Sequence, residues 1–175
     1  MSPFIRFLLF ASVLYLGWYG AYEFYLKEKT HIDLYVIDNL VFIAEGMLRA
    51  IGFDLVDFSQ IDGQWRNHMA IVNTPGVTIG APCDGIVLFA LFVVFVVAFP
   101  GPWKHRAWFI PSGLLIIHLL NAMRVAALTI IVYWNEKWLS FNHDYTFTIV
   151  VYSVVMVLWW WWINGFSDIR KKASA

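Results

Sequence analysis

The segment APCDGIVLFALFVVFVVAF, residues 81–99, joins the only cysteine of the chain, Cys83, to an uninterrupted apolar run. The run from Ile86 to Phe99 contains no charged side chain, and Pro100 follows it. Such a run predicts a membrane helix if the polar residues before it and Pro100 lie among the lipid headgroups. We therefore expect the thiol of Cys83 at a membrane surface, where a helix begins.

The composition of the whole chain also indicates an integral membrane protein. Of its 175 residues, 61% are hydrophobic and 14% are charged, whereas a soluble domain carries about 25% charged residues. The formal net charge of zero argues against nucleic acid as a partner. A single cysteine excludes an internal disulfide and a cysteine-rich zinc site, and we expect neither a metal nor an organic cofactor. Residues 1–175 are expected to form one membrane domain.

Four apolar segments predict an all-α, polytopic helical bundle with about four transmembrane helices. They cover about residues 4–26, 86–99, 107–134 and 145–163. Arg6 precedes the apolar run from Phe7 to Leu16 within the first segment, which resembles the start of a signal peptide. However, Trp18 and Tyr19 occupy positions where signal peptidase requires small residues, so we expect an uncleaved first span.

The segment 27–82 is expected to lie outside the cytoplasm and to contain two kinds of structure. In a helix over 33–51, Asp38, Glu45 and Arg49 would share one face, which favours an amphipathic helix in the membrane interface over a crossing helix. Further on, the turn dipeptides Asp62-Gly63 and Pro75-Gly76 separate β-prone runs. This pattern predicts a small three-stranded antiparallel meander before Cys83.

The distribution of charge predicts the orientation of the spans. With four spans and a cytoplasmic C-terminus, the cytoplasmic segments hold six of the twelve Lys and Arg residues but one of the twelve acids, Asp168. This bias agrees with the positive-inside rule. It places Cys83 and His143 together on the extracytoplasmic side of a cytoplasmic (inner) membrane.

Arg124 is a cation inside the third apolar segment. A charged side chain at the bilayer centre costs roughly 2.5–3.5 kcal/mol, so such residues are usually paired or functional. Asn121 and His118 precede it at intervals of three, which places all three residues on one helix face. The alternatives are an arginine that reaches the headgroups or a structural ion pair with Asp84 or Asp144.

Cys83 and His143 are the candidate nucleophile and base. Backbone N–H groups at a helix start, and Arg124 if it lies close, would favour the thiolate of Cys83, while the charge of Asp84 would oppose it. His143 lies in a predicted polar loop over 135–144 and can exchange a proton near neutral pH. The alternatives are a cysteine that serves as a small apolar residue and an ordinary surface histidine.

Three short motifs together resemble the exosortase/archaeosortase family: Cys83-Asp84-Gly85-Ile86, Asn121-Ala122-Met123-Arg124 and Asn142-His143. The similarity covers roughly residues 69–162. It implies a membrane-embedded transpeptidase in which Cys83, Arg124 and His143 form the catalytic set, supported by Asn121, Asp84, Gly85 and Asn142. Many members have serine at the position of Asp84, and many have additional N-terminal spans, so this chain resembles a compact core form.

The resemblance also implies the partners and the reaction. The expected substrates are exported proteins with a C-terminal sorting signal, which consists of a short motif, a hydrophobic helix and a basic tail. Cys83 would form an acyl intermediate at the outer membrane face, beside membrane lipid, and pass it to a cell-surface acceptor. The alternatives are a non-enzymatic membrane scaffold, with Arg124 in a structural ion pair, and a small transporter built on the stripe of His118, Asn121 and Arg124.

Overall fold

The computed structural model describes residues 2–57 and 67–166, and most of them are helical. The α-helices are α1 (Pro3–Ala21), α2 (Lys27–Lys29), α3 (Ile32–Ala50), α4 (Ile86–Ala98), α5 (Trp103–Asn135), α6 (Leu139–Phe141) and α7 (Phe147–Gly165). Short 3₁₀ or π-helical turns connect several of them: Tyr22–Leu26, Ala81–Cys83, Glu136–Trp138 and Asn142–Thr146. The predicted helical class is therefore confirmed. The polar stretch expected to form a loop over 135–144 is helical instead.

A small sheet lies between α3 and α4 in the chain. Strands β1 (His68–Met69) and β2 (Val77–Thr78) are antiparallel, with His68 opposite Thr78. A single antiparallel bridge joins Leu55 to Ile71. In the part of the chain that the structure describes, the sheet has two strands, so the predicted three-stranded meander is not confirmed. The predicted turn at Asp62-Gly63 and the apolar residues around it lie outside the described residues.

The chain divides into two compact units. The first contains the residues up to Thr30, Ile86–Ile117 and the residues from Ser153 onward. Its core is apolar and aromatic, and consists of Phe92, Val96, Phe109, Ile117, Val155, Leu158 and Trp162. The rings of Phe109, near the start of α5, and Trp162, near the end of α7, are 5.1 Å apart. Because opposite ends of the two helices meet, α5 and α7 run antiparallel.

The second unit contains His31–Gly85 and His118–Tyr152. Helix α3 buries Ile37, Val41, Ala44 and Leu48, whose spacing of four, three and four residues forms one helix face. This face packs against residues of the sheet region and against Val125 and Ala126 of α5. The helix expected over 33–51 is therefore present as α3, and its location in the membrane interface stays a prediction.

Among residues 2–57 and 67–166, two helical stretches are long and apolar enough to cross a membrane, namely Phe4–Lys29 and Trp103–Gly165, and Ile86–Ala98 is a shorter apolar helix. The second stretch has 63 residues. At about 1.5 Å per residue it far exceeds the ~30 Å hydrocarbon core of a bilayer. Its two long helices, α5 and α7, are antiparallel, which is compatible with two crossings. The number of four spans stays a prediction.

Candidate active site

Cys83 ends the 3₁₀ turn Ala81–Cys83. Its backbone N–H donates to the carbonyl of Gly80 at 2.8 Å, and its side chain is half-buried. Gly85 has φ 86°, a left-handed conformation that glycine adopts without steric cost. The turn therefore requires a glycine two residues after the cysteine and fixes the thiol just before α4.

The thiol of Cys83 lies next to the imidazole of His143. Sγ and Nε2 are 2.9 Å apart, although the two residues are sixty positions apart in the chain. His143 lies in the π-helical turn Asn142–Thr146. Such single π-helical turns are frequent at functional sites. The structure therefore brings together the two residues proposed as nucleophile and base.

The other ring nitrogen of His143 contacts a carboxylate. Nδ1 is 2.8 Å from Oδ1 of Asp144. An ionised carboxylate only accepts hydrogen bonds, so Nδ1 carries the proton in the neutral ring. The lone pair of Nε2 then faces Sγ, and the S–H of Cys83 is the donor in that contact. This tautomer is the one that a base at Nε2 requires.

Helix α5 contributes Asn121 and Arg124 to the same site. The side chain of Asn121 is 1% exposed, and its Nδ2 donates to the carbonyl of Cys83 at 2.7 Å. Nη2 of Arg124 donates to the carbonyl of His143 at 3.4 Å. Residues three apart lie on one helix face, so one turn of α5 contacts the backbone of both Cys83 and His143.

Burial raises the pKa of the Cys83 thiol above its ordinary value. The charge of Arg124 lowers this pKa, whereas the charges of Asp84 and Asp144 raise it, and a backbone hydrogen bond from Gly80 lowers it. Arg124 thus acts in the direction that the sequence predicts, but desolvation of the thiolate outweighs it. The resting group is the neutral thiol, which requires a base before it can attack.

A comparison with known families matches residues 5–161 to the family described as Transmembrane exosortase (Exosortase_EpsH). The chain belongs to the exosortase family. The match extends further toward the N-terminus than the motifs that suggested it, because it includes the first apolar segment. No curated protein and no solved structure matches the chain. Family membership and the apolar helices together make the chain an integral membrane protein.

The remaining predicted residues of this exosortase occupy different positions around the site. Asp84 follows the cysteine and is 2% exposed, and its charge acts on the thiol. Nδ2 of Asn142 donates to the carbonyl of Trp138 at 2.9 Å. This hydrogen bond stabilises the backbone before α7 and involves neither Cys83 nor the ring of His143.

Sequence reasoning missed two side chains that contact His143 in this exosortase. The sequence suggests Asp144 only as an ion-pair partner for Arg124, although its position directly after His143 could have indicated the contact. Oγ1 of Thr148 donates to the carbonyl of His143 at 3.2 Å. The spacing of five residues reflects the π-helical turn, which the sequence pattern does not reveal.

The polar stripe on α5 extends one turn further. Nε2 of His118 is 2.7 Å from Oδ1 of Asn39 in α3. His118 therefore contacts α3, whereas Asn121 and Arg124 contact the backbone of Cys83 and His143. Within residues 2–57 and 67–166, no group of three or more His, Cys, Asp and Glu side chains is arranged to hold a metal ion.

Proposed function

We propose that this exosortase is a cysteine transpeptidase in which Cys83 is the nucleophile and His143 is the general base and acid. The observation that carries the proposal is the 2.9 Å contact between Sγ of Cys83 and Nε2 of His143. A nucleophile and a base within hydrogen-bond distance, with the base oriented by a third group, are characteristic of covalent catalysis by hydroxyl or thiol groups. Family membership supports the same reaction class.

In the first half-reaction, Nε2 of His143 takes the thiol proton while Sγ of Cys83 attacks the carbonyl carbon of a substrate peptide bond. The raised pKa of the thiol makes this proton transfer necessary, because little thiolate is present beforehand. Collapse of the tetrahedral intermediate breaks the C–N bond, and His143 gives the proton to the leaving amine. The product is a thioester on Cys83.

Arg124 supplies positive charge for the oxyanion of that intermediate. One of its hydrogen-bond donors, Nε, has no recorded partner within the described part of the chain. A preorganised cation in a site with little water stabilises developing negative charge strongly. Asn121 holds the carbonyl of Cys83 and thereby keeps the nucleophile fixed relative to α5.

In the second half-reaction, His143 takes a proton from the incoming acceptor, either an amine of the cell surface or water. The acceptor attacks the thioester carbon, the C–S bond breaks, and the proton returns to the sulfur of Cys83. The proposed substrates are exported proteins with a C-terminal sorting signal. Cleavage at the short motif would separate the hydrophobic helix and the basic tail of that signal from the substrate.

The proposed site faces the outside of the cytoplasmic membrane. To test the orientation, single cysteines are introduced at Lys104 and at Asn135 in a Cys83→Ser background. Both positions are exposed. A membrane-impermeant maleimide applied to intact cells should label position 135 and spare position 104. The reverse labelling pattern would contradict the orientation.

Processing of a sorting-signal protein in cells tests the proposed reaction. Cys83→Ala should accumulate substrate with its C-terminal helix attached, while the protein itself reaches normal abundance. Ser140→Ala is a matched control, because Ser140 is an exposed residue of the segment that leads to His143. Full processing by Cys83→Ala would exclude the enzymatic role and leave a scaffold or a transporter.

A further inference from the structure

We propose that Asp144 is a positioning residue that holds His143 in the tautomer with a proton on Nδ1, so that Nε2 stays free to accept the proton of Cys83. This inference rests on the proposed function and adds a third member to the reactive pair. Asp144 is not one of the residues that the resemblance to exosortases assigns to the catalytic set.

The geometry supports this role because the two contacts of the ring are on opposite nitrogens. Nδ1 lies 2.8 Å from Oδ1 of Asp144, and Nε2 lies 2.9 Å from Sγ of Cys83. Side chains of adjacent residues in a regular α-helix do not face each other. The contact between neighbours therefore does not follow from ordinary helical spacing. It occurs here in the π-helical turn Asn142–Thr146.

Different groups bind the backbone and the ring of His143. Arg124 and Thr148 both donate to the carbonyl of His143, at 3.4 Å and 3.2 Å. Among the described residues, the recorded polar contacts of the ring are those to Cys83 and Asp144. Rotation and tautomer of the ring consequently depend on Asp144 whenever the thiol has reacted and no longer donates to Nε2.

The alternative is a solvent-exposed ion pair with no influence on the reaction. The side chain of Asp144 is 60% exposed and that of His143 is 36% exposed, and exposed pairs contribute little to stability. The charged groups that act on Cys83 are Arg124, Asp84 and Asp144, and the charge of Asp144 raises the pKa of the thiol. If Asp144 acted only through its charge, its removal would increase the thiolate fraction and speed the reaction. If it positions His143, its removal slows the reaction.

The test uses full-length protein in nanodiscs with three variants. Asp144→Ala removes the carboxylate, Asp144→Glu keeps a carboxylate on a longer side chain, and Glu136→Gln removes an exposed acid from the segment before His143 as the control. The first readout is the tautomer of His143, measured from the ¹⁵N shifts of its ring nitrogens. Loss of the signal in His143→Gln identifies it among the five histidines. The second readout is the processing rate of a sorting-signal substrate.

We expect the Nδ1–H tautomer in the wild type and in Glu136→Gln. Asp144→Ala should shift His143 toward the Nε2–H tautomer, which neutral imidazole favours in water, and slow processing about 10- to 100-fold, the size of effect found for groups that orient metal-bound histidines. Asp144→Glu should restore part of the Nδ1–H population and part of the processing rate. An unchanged tautomer in Asp144→Ala, or unchanged or faster processing, would overturn the inference. The tautomer readout needs no turnover. If Asp144→Ala shifts the tautomer but Cys83→Ala still processes substrate, the proposed function fails while the effect of Asp144 on His143 stands.

Discussion

Helices α5 and α7 contribute residues to both units, and the side chains that they bury differ between the units. In the first unit these helices bury rings and aliphatic side chains, such as Phe109, Ile117 and Trp162. In the second unit α5 buries the polar side chains of Asn121 and Thr129, and the segment before α7 holds His143. Buried polar groups are expensive unless they are hydrogen-bonded. The buried polar residues Asp33, Asp84, Asn121 and Thr129 all belong to the unit that holds Cys83 and His143.

Two arginines on α5 make the comparison specific. Nη2 of Arg106 donates to the carbonyl of Phe99 at 2.9 Å, and Nη2 of Arg124 donates to the carbonyl of His143 at 3.4 Å. Each arginine therefore makes the same type of bond within its own unit. They differ in their targets, because only the carbonyl bound by Arg124 belongs to a residue that contacts Cys83.

The largest difference between the units should appear when each arginine becomes lysine. Arg124→Lys should reduce processing about 10²- to 10³-fold, because an ammonium cannot bind the His143 carbonyl and an oxyanion in the forked geometry of guanidinium. Arg106→Lys is the matched control and should process substrate normally at equal protein abundance. Initial rates of both variants in membranes are the measurement. Equal rates would mean that Arg124 is only structural.

A smaller difference is expected for the asparagines. Asn121→Ala removes the donor to the Cys83 carbonyl and should slow processing about 10- to 100-fold, the size of effect found for groups that orient metal ligands. Asn164→Ala in the first unit removes a bond to the carbonyl of Trp160 and should leave the rate unchanged. Comparable losses in both variants, after correction for abundance, would show that Asn121 contributes only to stability.

Arg124 and Arg106, one in each unit, should differ in their effect on the pKa of the Cys83 thiol. Because burial raises the pKa of the thiol, alkylation by iodoacetamide should be slow at neutral pH and accelerate as the pH rises above the ordinary thiol range. Arg124 lowers this pKa, so Arg124→Ala should shift the pH–rate profile to higher pH. Arg106→Ala should not move it. A profile that shifts to lower pH in Arg124→Ala would contradict the assigned sign.

The smallest effect on catalysis is expected from glycines of the first unit. A Cβ at Gly113 would overlap the buried ring of Phe92, so Gly113→Ala should destabilise the protein by about 1–3 kcal/mol through overpacking. At Gly17 no atom lies within 4 Å of an added Cβ, and Gly17→Ala should be neutral or slightly stabilising. Thermal unfolding in detergent measures both. Activity per folded molecule should be unchanged in each variant, and a selective loss of activity in Gly113→Ala would show that the first unit influences the site directly.

The sequence predicts the helices and the family well, since long apolar runs and short motifs are local signals. Helix α4 follows directly from such a run, and α3 follows from the amphipathic spacing of its charged residues. The meeting of Cys83 and His143 was expected from topology alone, because both were assigned to the same membrane side at the start of a helix. The sequence indicates only that Asn121 shares a helix face with Arg124, and the structure shows that its side chain donates to the carbonyl of Cys83.

Other features depend on geometry that no sequence pattern encodes. The π-helical turn at Asn142–Thr146 replaces the predicted loop and produces the contact between His143 and Asp144. The thiol pKa depends on the degree of burial, which overrides the favourable charge of Arg124. Tertiary packing in the second unit determines both the π-helical turn and the burial of the Cys83 thiol, so neither follows from a local sequence pattern.

The central claim is that Cys83 carries a thioacyl intermediate formed with the help of His143. The direct measurement is mass spectrometry of the Cys83 peptide from wild-type protein incubated with a sorting-signal substrate and quenched in acid. We predict an adduct on Cys83 that hydroxylamine releases, that is missing in Cys83→Ala and that forms much more slowly in His143→Ala, because the neutral thiol lacks its base there. Complete processing by Cys83→Ala, or a substrate adduct on another residue, would contradict the account.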